Sequence, residues 1–260
     1  MQESSINGIP KVIHYCWFGG KPLPELARKC IDSWRRFCPD YEIRQWDESN
    51  FDVHSCDYVK EAYAAKKWAF VSDYARFWIL YNHGGVYFDT DVELLKPIDP
   101  ILDKGGFMGV EVAPGDFVGG NADLIVAPGL GIAVAKNDPF YERILKYYQD
   151  IHFMLSDGSL NTMTVGSHVT ELLRANGLKN EDVMQTVCGI NIYPKRFFNP
   201  IDLNSGKCKL TDDTVSIHHY AATWVSGKTK FRDGVFRFIY RVFGKRVAEA
   251  LKKAYRKLSS

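Results

Sequence analysis

The sequence predicts an α/β fold, one domain built around a mostly parallel central sheet, and three observations carry that expectation. A strand–helix–strand order opens the chain. A long apolar helix over residues 69–83 stops at Asn82-His83-Gly84-Gly85 and feeds an apolar run, Val86-Tyr87-Phe88, that ends in two acids. Across 260 residues, 46% are apolar and 14% aromatic, enough to fill a core without a repeat or a low-complexity linker.

Taken in order, Lys11 to Phe18 reads as a buried strand entering the Gly19-Gly20 turn. Pro22 and Pro24 precede a helix over Glu25–Phe37, whose apolar positions Leu26, Cys30, Ile31, Trp34 and Phe37 keep helical spacing. Pro39-Asp40 ends it, and Tyr41–Trp46 alternates as a second strand. This order is that of a parallel βαβ unit. Asp57–Lys67 and Ala69–His83 read as helices, the latter with Phe70, Tyr74, Phe77, Trp78 and Tyr81 on its buried side. Glycines with Val and Ile over residues 105–135 predict short strands and turns. A helix from Asp138 or Pro139 to Tyr148, a short one over Thr170–Ala175 and a strand over Val215–Tyr220 complete the reading.

Chemistry concentrates in four places. Asp89-Thr90-Asp91 follows strand-forming residues, so alternation should put both carboxylates on one face, where they repel unless a cation sits beside them. A hard divalent ion such as Mg²⁺ or Mn²⁺ suits oxygen ligands and leaves positions for substrate phosphates. An acidic turn is the plainer alternative, since three-letter motifs match often by chance. Trp17 stands at the end of the first strand, where ligands of open α/β sheets bind, and its ring can stack on a base or simply fill the core. Asp73 and Arg76 are three apart, hence neighbours on a helix face, and form either a salt bridge or an acceptor–donor pair for a polyhydroxylated ligand. Ile217-His218-His219-Tyr220, with Trp224 beyond, offers one nitrogen ligand to the same cation, because adjacent strand residues face opposite ways.

Together, Ile9–Trp17, Ser72-Asp73-Tyr74-Ala75-Arg76, Gly84–Val92 and His218–Trp224 resemble the family 32 glycosyltransferases, the DXD sugar-binding region family. That family includes bacterial capsular and O-antigen enzymes and is related to yeast α-mannosyltransferases and the glucosylating domains of large clostridial toxins. The resemblance covers residues 9–100 closely and 215–225 more loosely. It implies a GT-A fold, a single Rossmann-like domain binding a nucleotide-sugar, by expectation a UDP-sugar, together with Mn²⁺ or Mg²⁺. It further implies that Trp17 stacks on the base, that Asp73 and Arg76 grip the donor sugar, and that Asp89 contacts ribose or sugar and supports the metal. Asp91 would ligate the metal, His219 would join it as the best match to the family's late His-Tyr pair, and Trp224 would lie near the diphosphate. Catalysis would thus fall to Asp73, Arg76, Asp89 and Asp91, in a retaining reaction by a front-face route. Thr164-Val165-Gly166-Ser167 is the nearest candidate for an acceptor-side Thr-Gly-Pro-like motif.

Charge divides the chain. Residues 228–260 carry eleven Lys and Arg against two acids, leaving 22 against 29 in residues 1–227. Residues 1–227 are therefore expected to form the catalytic domain, and 228–260 a basic amphipathic helical extension that packs on the core or lies on an anionic membrane surface. No run of apolar residues is long enough to span a bilayer, and the first ten residues lack a signal-peptide pattern. The expectation is a cytoplasmic protein, in peripheral contact with the inner face of the membrane, acting on a glycan or lipid-linked oligosaccharide and not on nucleic acid. The six cysteines form no Cys-x-x-Cys pair, so reduced, mostly buried thiols are expected. Two rivals remain: a sugar- or nucleotide-binding protein without turnover, and an Asp-nucleophile phosphatase, which the absence of a later Gly-Asp-acidic motif disfavours.

Overall fold

The computed structural model describes residues 4–116, 122–202 and 204–221. In chain order the elements are β1 (Ser5–Ile6), β2 (Ile9–Pro10), β3 (Val12–Cys16), α1 (Glu25–Phe37), β4 (Glu42–Trp46), α2 (Asp57–Ala64), α3 (Trp68–His83), β5 (Gly85–Tyr87), β6 (Val92–Leu94), α4 (Asp99–Leu102), β7 (Phe107–Val112) and β8 (Ile125–Val126). A 3-10 turn (Pro128–Leu130) follows, then β9 (Ile132–Val134), α5 (Pro139–Gln149), α6 (Val165–Ala175), β10 (Gln185–Val187), β11 (Ile190–Tyr193), α7 (Lys195–Phe198) and β12 (Ser216–His218).

Among the described residues the main sheet has eight strands in the order β10-β11-β7-β9-β5-β3-β4, with β8 on β7. Strands β4, β3 and β5 are parallel, β11 is parallel to β7, and β9 runs antiparallel between β5 and β7. Five strands therefore point one way and β8, β9 and β10 the other. The expected α/β class with a mainly parallel sheet is borne out, and β3–α1–β4 is the expected βαβ unit.

The layout decides where a ligand can sit. The C-terminal ends of β3, β5 and β7 share one edge of the sheet, and because β9 is reversed, the turn that precedes it reaches the same edge. Trp17, the 88–91 segment, Glu111 and residues 128–130 therefore gather at one rim, the side on which open α/β sheets bind ligands. A separate two-stranded ladder, β12 on β6, brings the late histidines there.

Several expectations need correction. The β5 strand ends at Tyr87, so Asp89 and Asp91 lie in a turn closed by the Val92 N–H donating to the Asp89 carbonyl (3.0 Å), not on a strand face. Helix α3 is buried around much of its girth, through Val71, Asp73, Tyr74, Ala75, Arg76, Phe77, Ile79 and Leu80, because it packs between the sheet and helices α2 and α5. Phe70, Trp78 and Tyr81, expected on its inner side, are only partly buried. Helix α6 starts five residues before Thr170, because Thr164 caps it by accepting from the Ser167 N–H. Strands β10 and β11 and helix α7 fall in a region the pattern left unassigned. The six cysteines are free, but only Cys16, Cys30 and Cys38 are buried. No helix among the described residues is long and apolar enough to cross a membrane. Trp224 and the basic 228–260 extension lie outside the described residues.

Below the rim, His14 on β3 is completely buried. Its Nδ1 accepts from Trp46 Nε1 (3.0 Å), so Nε2 carries the proton and donates to the Gly84 carbonyl (3.0 Å). Gly84 and Gly85 both adopt positive φ here, and a Cβ on Gly85 would press on the Val12 carbonyl and the His14 ring. Burial first, then the Arg44 charge, pushes the His14 imidazole down to about 3. The fold holds it neutral while the unfolded chain takes up a proton below about 6.5, so its stabilisation is present above pH 6.5 and is lost as pH falls toward 3. Urea unfolding should show an acid limb of up to about 1.4 kcal/mol per pH unit from this residue. His14→Gln, which does not titrate, should flatten that limb; an unchanged slope would assign it to other groups.

Candidate active site

Asp89 and Asp91 are brought together by their turn and by what anchors each carboxylate. Asp89 Oδ1 accepts from the Tyr87 hydroxyl (3.1 Å) and lies 3.3 Å from Arg76 Nη1. Its backbone N–H donates to the Gly129 carbonyl (3.3 Å). Asp91 Oδ2 accepts from the Ala221 N–H (2.7 Å), and its Oδ1 lies 3.0 Å from His218 Nε2. One ligand atom from each of Asp89, Asp91 and His218 lies within 4.8 Å of the others.

The β12–β6 register explains which histidine enters. His218 pairs with Val92, so its ring slants onto Asp91, while alternation turns His219 away to Glu93 (Nε2 to Oε2, 2.8 Å). The structure thus places His218, rather than the expected His219, beside the acids. Burial alone would raise the Asp91 carboxyl, but the His218 hydrogen bond and charge and the Ala221 N–H outweigh it and hold Asp91 below the ordinary carboxylate range. Burial opposes the charge on His218, yet the bond to Asp91 and the charges of Asp91, Asp89 and Glu111 raise it.

Asp73 and Arg76 form the floor. Arg76 is 3% exposed, its Nη2 donates to Asp73 Oδ1 (3.0 Å), its Nε donates to the Ser72 carbonyl (3.0 Å), and its guanidinium lies 4.9 Å over the Tyr87 ring. It therefore joins the two acids and has little surface left for a ligand; Asp73 and Asp89 are the oxygens it arranges. Burial pushes the Asp73 carboxyl up to about 7 against the pull of Arg76, and the Asp89 charge adds to the rise. Trp17 is half-buried at the end of β3, its Nε1 donating to the Lys21 carbonyl (2.5 Å). Thr164 and Ser167 serve the start of α6, as a helix cap does.

Tyr87, Gly129 and Glu111 escaped the sequence reading as site residues, whereas His218 was named beside His219 and only the family resemblance favoured the latter. Glu111 had a signal, being a lone charge in the apolar run Phe-Met-Gly-Val-Glu-Val of β7. Gly129 had none, because only the fold sets it against Asp89. A Cβ there would overlap Asp89 Oδ2 and come within 3.5 Å of Arg76 Nη1. Gly129→Ala is expected to displace the Asp89 carboxylate and weaken binding of a divalent cation beside it at least about tenfold. Titration with Mn²⁺ beside a thermal unfolding curve checks this, and parent-like affinity would show that Asp89 need not hold that position.

Two carboxylates and one imidazole make a donor set suited to a divalent cation such as Mn²⁺ or Mg²⁺, and the buried His218 Nδ1 has no hydrogen-bond partner that would lock the ring in another role. The residues fit such an ion.

Residues 24–108 match the family described as "Glycosyltransferase sugar-binding region containing DXD motif". The chain is 33% identical over 111 residues to inositol phosphoceramide mannosyltransferase 1 of Schizosaccharomyces pombe, covering 38% of this chain and 33% of that protein. It is 34% identical over 102 residues to inositol phosphoceramide mannosyltransferase 3 of the same yeast, covering 36% and 27%. The match thus spans about a third of the length of these relatives. Among solved structures, a galactosyltransferase in complex with donor and acceptor sugar analogues has a TM-score of 0.45 at 14% identity, covering 86% of this chain and 92% of that chain. The family resemblance read from the sequence is borne out over the DXD region.

Proposed function

Because residues 24–108 match a DXD sugar-binding region, we propose that this chain is a metal-dependent glycosyltransferase of GT-A type that moves a sugar from a nucleotide-sugar to a glycan or lipid-linked acceptor. The observation that carries the reading is the convergence of Asp89, Asp91 and His218 at the rim of the sheet, beside the Asp73–Arg76 pair. Asp89, Asp91 and His218 would hold the Mn²⁺ or Mg²⁺, which when bound supplies Lewis-acid stabilisation of the charge developing on the departing nucleoside diphosphate. Asp73 and Asp89 present carboxylate oxygens to the hydroxyls of the donor sugar, held in place by Arg76. Trp17, at the end of β3, offers a ring for the base. Retention by a front-face route, with the acceptor hydroxyl deprotonated as the diphosphate leaves, accords with a donor-sugar floor whose two carboxylates are both engaged by Arg76. A membrane-borne acceptor is supported by the relatives named for inositol phosphoceramide, and the basic 228–260 segment suits an anionic surface, as in bacterial capsule or O-antigen synthesis.

A thermal-shift screen of nucleotide-sugars with and without Mn²⁺ tests the reading. A donor at about 100 times its Kd should stabilise the fold by about 2.7 kcal/mol, and only with the cation present. Release of free sugar or of a glycosylated acceptor then separates an enzyme from a binding protein. No shift with any nucleotide-sugar in Mn²⁺ or Mg²⁺ would overturn it.

A further inference from the structure

Half of the large apolar side chains exposed among the described residues lie in one place, the loop between α5 and α6: Met154, Leu155 and Met163. That loop is held, not slack. Met154 pairs with Leu160 in an antiparallel bridge, and the Asn161 N–H donates to the Phe153 carbonyl (2.7 Å). Glu61 on α2 clamps its base, accepting from the Phe153 and Met154 N–H groups (2.9 Å each) and lying 2.8 Å from His152 Nδ1. Phe153 is buried against Tyr58 and Phe70. The fold thus buries Phe153 and turns its neighbours Met154 and Leu155 outward, at 48% and 43% exposure. Asp157 is the only acid between Ile151 and Val165. A single exposed apolar residue is ordinary, whereas a group of them on an ordered loop marks a contact surface.

The loop stands at the ligand-binding rim of the sheet. Phe70, its contact on α3, lies in the first turn of that helix, and Trp68 in the same turn packs on the bend after β3. A Cβ on Gly19 of that bend would come 2.6 Å from Trp68 Nε1. At its other end the loop runs into α6, where Gly166 lies against Val126 and Ala127, just before the 128–130 turn that meets Asp89. Lys60 on α2 and Lys66 and Lys67 in the α2–α3 turn are exposed beside it, and none forms an ion pair with the described residues. The described chain also ends at this rim, because the Ala221 N–H donates to Asp91 Oδ2 (2.7 Å), so the segment carrying the basic residues 228–260 departs from here. Apolar side chains flanked by unpaired lysines suit the headgroup boundary of an anionic bilayer. A protein partner fits less well, since the cores of protein interfaces are depleted in lysine.

We propose that the 154–163 loop, with Lys60, Lys66 and Lys67, is a membrane-docking face that turns the rim of the sheet toward an anionic bilayer. Met154, Leu155 and Met163 enter the headgroup boundary, and the three lysines meet the lipid phosphates. The Glu61 clamp holds the loop in the orientation that presents them. The proposal deepens the membrane-borne acceptor of the reading above and rests on that part of it.

Co-sedimentation of the full chain with phosphatidylcholine vesicles containing about one third phosphatidylglycerol, an anionic surface of the kind that attracts basic segments, tests this. Replacing Met154, Leu155 and Met163 together by serine should weaken partition about tenfold or more, because each loses apolar contact with lipid. Replacing Lys60, Lys66 and Lys67 together by glutamine should also cost about tenfold or more and should flatten the dependence on salt. Leu155→Trp reads insertion directly: on vesicles its emission should shift to the blue beyond the parent's and be quenched further by brominated lipid. Partition within twofold of the parent in both triple variants, or no added blue shift or quenching from Leu155→Trp on bound protein, would overturn the proposal and leave binding to the 228–260 segment alone. Failure of the parent to bind these vesicles would overturn it as well. Should the serine triple not fold, Leu155→Ser and Leu155→Trp decide in its place. The vesicle measurements need no nucleotide-sugar, so the two readings fail separately. A chain that docks on vesicles but shows no donor-dependent thermal shift loses the glycosyltransferase reading, and one that shows the shift but does not insert loses only the docking face.

Discussion

On the proposed reading, Asp91→Asn is expected to lower nucleotide-sugar turnover by about 10³-fold or more, because it would remove the charge that most directly serves the cation. The substitution keeps the shape of the side chain and an oxygen to accept from the Ala221 N–H, so the β12–β6 ladder should survive. What it removes is the anionic partner of His218 Nε2 at 3.0 Å. The His218 bond and the Ala221 N–H keep Asp91 below the ordinary carboxylate range, so the parent carries this charge throughout the neutral and mildly acidic range. Kinetics beside a thermal melt and Mn²⁺ titration should show lost turnover and weakened cation binding at nearly unchanged melting temperature. Turnover within tenfold of the parent would sink the assignment of Asp91 as a ligand.

The parts of this site that were legible in the sequence are those fixed by local pattern. The β3–α1–β4 unit was visible because its apolar spacing changes from strand to helix and back, with Pro and Gly at the boundaries. Asp73 and Arg76 were visible as a pair because helical spacing alone makes them neighbours. Asp89 and Asp91 were rightly grouped but for an incomplete reason, since a turn and not strand alternation brings them together. The choice between His218 and His219 was beyond a linear reading. It depends on the register of a three-residue ladder with β6, and a shift of one residue would exchange the two rings. Gly129 and Glu111 lie further still from local pattern, because a reversed strand and a bulge place them, and both features depend on pairing between distant segments. Arg76 shows the opposite case: the residue was identified, but its burial between two acids makes it an organiser of carboxylates more than an open donor.

That burial makes Arg76→Ala the substitution with the largest expected effect on stability. Arg76 and Asp73 have side chains only 4% and 11% exposed, and Arg76 also lies 3.3 Å from Asp89. Removing one member of a buried pair leaves an uncompensated charge and costs about 3–5 kcal/mol, several times a surface pair. The sign of the pH dependence distinguishes lost charge from lost packing. Burial already raises the Asp73 carboxyl to about 7 with Arg76 in place, and without the guanidinium it must lie higher. Between pH 7 and that higher value, the folded variant keeps a proton that the unfolded chain has released, whereas the parent has mostly lost it. The unfolded state then binds fewer protons than the folded variant, so the variant loses stability as pH rises. Its deficit relative to the parent should grow above pH 7 by up to about 1.4 kcal/mol per pH unit. Urea unfolding of both proteins at pH 6 and pH 8.5 reads this directly. A deficit equal at the two values would mean that Arg76 acts by filling space over Tyr87. Arg76→Lys should recover only part of the loss, because one ammonium cannot span both Asp73 and Asp89 as the guanidinium fork does.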